Sequence, residues 1–109
     1  MLKPNKKAIG IFGGSFDPPH KGHVKISKIS LKKIKLKKIY WIVTKKNPFK
    51  KKTFFSIKKR IQMSKKALKR HKKIEAWYLD DKIKSSRMIK VINHMKKFKK
   101  QNDLYLILG

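Results

Sequence analysis

Ala8-Ile9-Gly10-Ile11-Phe12-Gly13-Gly14-Ser15-Phe16-Asp17-Pro18-Pro19-His20-Lys21-Gly22-His23 is the stretch from which the fold can be read. An apolar run leads into paired glycines, paired prolines and two histidines, and a segment with helical spacing follows. The pattern predicts a strand, a tight connection and a helix start. Glycine there lets the backbone turn and approach a ligand with no Cβ in the way. The N–H groups and positive dipole end of the helix favour an anion. His20 and His23, three residues apart, add donors beside that helix end. The connection suits phosphate groups.

Outward from this stretch, residues 7–12 read as a short buried strand ended by the Gly13-Gly14 turn. Residues 22–34 carry apolar or small groups at His23, Ile26, Ser27, Ser30, Lys33 and Ile34, the spacing of a helix. Lys38-Ile39-Tyr40-Trp41-Ile42-Val43-Thr44 is rich in β-branched and aromatic side chains and predicts a second strand. A loop with an Asn47-Pro48 turn signal follows, over residues 45–52. Ser56 then caps a helix whose Ile57, Ile61, Ser64 and Leu68 share one face, to about Arg70. Residues 74–79 form a third strand. Met88, Val91, Ile92, Met95 and Phe98 stripe a third helix, and residues 103–108 form a fourth strand.

Strands apolar on both faces that alternate with helices imply a parallel sheet covered on both sides. The expected class is α/β, a Rossmann-like parallel sheet. Ligands of such sheets sit beyond the carboxyl ends of the strands, at the switch in strand order. The loops over 13–23 and 44–52 both fall at that edge. The fourth strand runs to the last residue with no helix after it. Residues 1–109 are therefore expected to be the amino-terminal part of a single domain, incomplete at its carboxyl end.

Composition removes several classes of function. Without cysteine there are no disulfides, thiolate metal sites or cysteine nucleophiles. No run approaches the ~18 apolar residues of a membrane helix, and the first residues lack the apolar core of a secretory signal. A cytoplasmic protein with no membrane partner is expected. The net charge of +28 admits a polyanionic partner. Yet the lysines are spread over every segment, and only Arg60, Arg70 and Arg87 offer the planar guanidinium that base readout favours. A compositional habit of choosing lysine is the better reading, with no specific nucleic-acid partner. Trp41 and Trp77 sit in strands and are expected to pack in the core.

A Walker loop and a Gly-x-Gly-x-x-Gly fingerprint are both absent. What stands in their place, Gly14-Ser15-Phe16-Asp17-Pro18-Pro19-His20-Lys21-Gly22-His23, resembles the His-x-Gly-His signature of the nucleotidyltransferase superfamily. It looks specifically like bacterial nicotinate-nucleotide adenylyltransferase, with Trp41-Ile42-Val43-Thr44 and Asn47-Pro48-Phe49-Lys50 similar to that family's second strand and following loop. The resemblance covers nearly all of this chain but only the family's first half. Its Tyr-Thr-x-x-Thr-Leu pattern has no counterpart in Arg87-Met88-Ile89-Lys90-Val91-Ile92, and its later Ile-Ser-Ser-Thr-x-x-Arg segment is not found in these 109 residues.

The resemblance implies an adenine nucleotide alpha hydrolase-like nucleotidyltransferase fold. It also implies transfer of AMP from ATP to nicotinate mononucleotide, giving deamido-NAD and pyrophosphate in NAD biosynthesis. By the family's pattern His20 and His23 would be catalytic and hold ATP phosphates, while Gly13, Gly14, Ser15, Phe16 and Gly22 would shape the nucleotide site. Thr44, Asn47 and Lys50 would face the acceptor. Mg2+ would arrive with ATP, with no protein metal site implied. Rival readings stay open. His20 and His23 could form a metal pair, with Asp17 alone nearby as a third ligand, or simply cap the helix. Asp17 could only brace its turn. The acceptor could instead be phosphopantetheine or another phosphorylated compound. The chain could also be a non-catalytic, lysine-rich RNA-binding protein on the same scaffold.

Overall fold

The computed structural model describes residues 8–45, 53–80, 88–98 and 102–107. In chain order these form β1 (Ala8–Gly14), α1 (Lys21–Lys33), β2 (Lys38–Val43), α2 (Ile57–Ala67), β3 (Ile74–Trp77), α3 (Met88–Phe98) and β4 (Asp103–Ile107). The four strands make one parallel sheet in the order β3-β2-β1-β4. The first three strands step outward in one direction, and β4 returns to the free side of β1. Strand order therefore reverses beside β1, and its carboxyl end is the switch point where open α/β sheets bind ligands.

The period of two along the central strands sorts their side chains onto two faces. Ala8, Phe12, Ile39, Trp41 and Val43 point to one side, where Val24, Ile26 and Leu31 of α1 and Ile57 and Ile61 of α2 pack on them. Ile9, Ile11, Tyr40 and Ile42 point to the other, against Val91 and Met95 of α3. Helices cover both faces, as expected. Burial of each large apolar side chain in these layers stabilises the fold by roughly 1.5–3 kcal/mol. A Cβ at Gly10 would stand 2.9 Å from both Leu36 Cδ1 and Ile107 Cδ1. Its absence lets these side chains lie on the strand.

The element boundaries differ from the expected ones for local reasons. β1 runs through Gly13 and Gly14, which pair with Ile42 and Val43, so the turn starts later. β2 stops at Val43 because the Thr44 and Lys45 carbonyls turn toward Arg60. β3 stops at Trp77, and Asp80 beyond it turns to accept the Lys45 N–H. α1 ends with Lys35 at φ 56° and the Leu36 N–H donating to the Leu31 carbonyl, a Schellman closure with lysine in the place that favours glycine. Of the third-helix stripe, Val91 and Met95 are fully buried, while the Met88 and Phe98 side chains lie outside the described residues. Among the described residues β4 stands at one edge of the sheet, with Tyr105 and Leu106 exposed.

Candidate active site

His20 is the N-cap of α1, and His23 stands one turn in. The two cap each other reciprocally. Gly22 donates its N–H to His20 Nδ1 at 3.0 Å, and His20 donates its own N–H to His23 Nδ1 at 3.0 Å. The rings lie with centroids 3.9 Å apart. A Cβ at Gly22 would approach His20 Cε1 to 2.8 Å and Nδ1 to 2.9 Å, so the ring folds onto the helix end only over glycine.

This arrangement fixes the tautomers. A ring nitrogen that accepts an N–H holds its lone pair there, so each neutral imidazole carries its proton on Nε2. Both Nε2–H groups are then donors, suited to phosphate oxygens. A metal pair would need Nε2 lone pairs, which this cap disfavours. Among the described residues no three His, Asp or Glu side chains gather as a metal cage. The helix end itself contributes less than expected: the Gly22 N–H goes to His20 Nδ1 and the His23 N–H to the His20 carbonyl at 3.1 Å. The cap replaces backbone donors with imidazole donors. The first turn also holds no acidic residue, so nothing on it neutralises the positive helix end.

His23 is half-buried against aromatic rings. Phe16 lies 4.7 Å away, and Phe12 and Trp41 meet it edge-on at 5.7 and 5.8 Å. Burial, with the neighbouring His20 imidazole adding to it, pushes its pKa down from 6.5 to about 4. The ring is neutral at physiological pH. Trp41 is fixed in turn, donating its indole N–H to Ser27 Oγ at 2.8 Å, while Ser27 donates to the His23 carbonyl at 2.8 Å. Phe16 adopts φ 47°, a left-handed conformation uncommon for a bulky residue. Its stacking on Trp41, at 4.7 Å and 14°, holds it there. The left-handed turn position thus falls on Phe16 and on neither Gly13 nor Gly14.

Two residues tie this loop to its neighbours. Asp17 accepts the N–H groups of Phe54 and Phe55, the latter at 2.8 Å, linking it to the lead-in of α2. Phe54 stays 83% exposed beside it. Arg60, on α2 and only 1% exposed, donates to the carbonyls of Ser15, Thr44, Lys45 and Phe55 at 2.7–3.1 Å. Its role has no local sequence pattern. The one available signal is that it is an arginine in a chain that otherwise chooses lysine. Thr44 is buried just past the end of β2, its N–H on the Gly14 carbonyl at 2.8 Å, so the loop after β1 and the loop after β2 meet. Gly13, Gly14, Ser15, Phe16, His20, Gly22, His23 and Thr44 thus gather at the carboxyl edge of β1 and β2. Asn47, Lys50 and Arg87 lie outside the described residues.

A parallel sheet with a histidine-capped helix at its switch point defines an α/β protein of the open-sheet class, and comparison with known proteins supplies its family. Residues 11–109 match the cytidylyltransferase-like family, and the chain belongs to it. It is 42% identical to a "Probable nicotinate-nucleotide adenylyltransferase" of Pelagibacter ubique, over 99% of this chain and 59% of the relative. It is 38% identical to a "Probable nicotinate-nucleotide adenylyltransferase/Ap4A hydrolase" of Mycoplasma genitalium, over 95% of this chain and 30% of that one. The fold matches Plasmodium falciparum nicotinic acid mononucleotide adenylyltransferase, solved with NaAD, with TM-score 0.71 and 24% identity over 94% of this chain and 52% of the other. The chain spans from about a third to somewhat over half of these relatives' length. No helix among the described residues is long and apolar enough to cross a membrane.

Proposed function

We propose that this chain forms the phosphate-binding part of an enzyme that transfers AMP from ATP to nicotinate mononucleotide, giving deamido-NAD and pyrophosphate. The observation that carries the reading is the reciprocal cap, which leaves His20 and His23 each with an Nε2–H donor at the switch point. The naming of the relatives supports the choice of nicotinate mononucleotide. ATP would enter as its magnesium complex, with Mg2+ neutralising part of the polyphosphate charge.

The reaction needs no protein nucleophile. An oxygen of the acceptor phosphate attacks the α-phosphorus, and the bond from that phosphorus to the β-phosphate oxygen breaks. The electron pair leaves with pyrophosphate. Charge grows on the bridging oxygen, and preorganised donors there lower the barrier. The two Nε2–H groups fill that role on the nucleotide side, with no proton transferred. Thr44, Asn47 and Lys50 serve the acceptor side. Because His23 is neutral, its donor strength does not change across the physiological pH range.

The test is His20→Ala and His23→Ala in the full-length protein, with deamido-NAD followed from ATP and nicotinate mononucleotide. Each should lower kcat by ~10²–10³, the usual cost of one such donor. A near-normal rate in either variant removes that histidine from the chemistry.

A further inference from the structure

Arg60 is the most enclosed charged side chain among the described residues. Its guanidinium uses its donors on main-chain oxygens from three separate segments. Nη1 reaches the Ser15 carbonyl at 2.9 Å and the Thr44 carbonyl at 2.7 Å; Nη2 reaches Lys45 at 3.1 Å; Nε reaches Phe55 at 3.0 Å. Ser15 belongs to the loop after β1, Thr44 and Lys45 to the loop after β2, and Phe55 to the lead-in of α2. Two carboxylates add further ties through N–H groups, Asp17 within these segments and Asp80 from the stretch beyond β3. Asp17 takes those of Phe54 and Phe55, and Asp80 takes that of Lys45.

Being buried, Arg60 does not reach a substrate. Its position between the loops gives it another task. We propose that Arg60 is a positioning residue that sets the nucleotide loop against the acceptor loop, and so aligns two substrates that each loop binds separately. The proposal rests on the adenylyl-transfer reading above. In a direct transfer between two bound substrates, the rate depends on their relative placement, and a shift of ~1 Å costs about 10²-fold. A planar fork with five N–H groups spans such separated carbonyls. A lysine ammonium, a single point with three donors, does not.

The experiment compares the full-length wild type with Arg60→Lys and has two arms. In the first, calorimetry gives the Kd of α,β-methylene-ATP and of nicotinate mononucleotide, each alone, and turnover gives kcat. Arg60→Lys should keep both Kd values within ~3-fold while kcat falls ~10²-fold. A folded variant that loses only thermal stability, with kcat intact, overturns the proposal. So does one in which either Kd weakens as much as kcat falls.

The second arm is native hydrogen exchange on the wild type, which needs neither activity nor a folded variant. The amides of Thr44, Lys45, Phe54 and Phe55 are all hydrogen-bonded across segments. They should open as one unit with a common protection factor. Unrelated protection factors would refute the tie even if the enzyme assay behaves as expected. A wild type that makes no deamido-NAD removes the proposed function, and the exchange arm then judges the tie between the loops alone.

Discussion

In Gly22→Ala the new Cβ would stand 2.8 Å from His20 Cε1 and 2.9 Å from its Nδ1, nearer than side chains tolerate. The His20 ring must swing off the helix end, and the Gly22 N–H loses its acceptor. Losing an N-cap side-chain bond costs roughly 0.5–2 kcal/mol. Replacing glycine by alanine inside a helix gains up to about 1 kcal/mol. The two nearly cancel, so stability should change by no more than ~1 kcal/mol, a Tm shift of under about 8 °C for a domain of this size. Chemistry does not share that cancellation. One displaced donor at an oxygen gaining charge costs ~10²–10³ in kcat. Urea unfolding and deamido-NAD formation, measured on the same preparations, separate the two effects. Nitrogen-15 shifts of the imidazoles report whether His20 Nδ1 still accepts a hydrogen bond. A variant with the His20 ring displaced and kcat unchanged would refute the claim that this pose serves the reaction.

Further outcomes follow from neighbouring residues. His23 resists protonation down to about 4, because burial and His20 disfavour its charged form, whereas the unfolded chain takes the proton near 6.5. The unfolded state binds more protons in that window, so stability should fall as pH drops from about 6.5 toward 4 and then level off. With the ring half-exposed, screening limits this to roughly 1–2 kcal/mol; denaturant titrations of wild type and His23→Gln should show the slope only in the former. Ser27 and Ser64 are both fully buried helix serines, yet their alanine variants should diverge. Ser27→Ala strands the Trp41 indole N–H and should cost about 1–3 kcal/mol. Ser64 Oγ has no partner among the described residues, so Ser64→Ala should be neutral or stabilising by up to ~1 kcal/mol in the same urea assay. Lys35→Gly relieves a left-handed residue at the end of α1 and should stabilise by ~0.5–1 kcal/mol, seen as a raised urea midpoint.

What the sequence revealed, and what it hid, follows from the range of the interactions. Apolar runs and helical spacing reported β1, β2 and α2 well, because burial on one or both faces writes a period into the chain. The order β3-β2-β1-β4 leaves no such mark, since strand partners are chosen across the sheet. The His20-Lys21-Gly22-His23 motif was readable as a helix start with donors. Its reciprocal cap was not, because the ring positions depend on the missing Gly22 Cβ and on the Phe12, Phe16 and Trp41 rings around His23. Glycine is the usual residue for a left-handed turn, so Gly13 and Gly14 drew attention that belonged to Phe16, which is held by a stack 25 residues along the chain. Arg60 was hidden most completely. Its carbonyl partners are 5 to 45 residues away, and a helix of lysines conceals one basic residue that faces inward. Ser27 sat in the apolar stripe of α1, but only contact with Trp41 gives its hydroxyl a task.

The most direct test of the account is a comparison of acceptors with the full-length protein. Pyrophosphate release and the adenylylated product would be measured with magnesium-ATP and either nicotinate mononucleotide, nicotinamide mononucleotide or phosphopantetheine. Deamido-NAD should form from nicotinate mononucleotide at a kcat/KM at least ~10-fold above the other acceptors, and His20→Ala should lower it by ~10²-fold or more. Preference for phosphopantetheine, or turnover that survives His20→Ala, would contradict it.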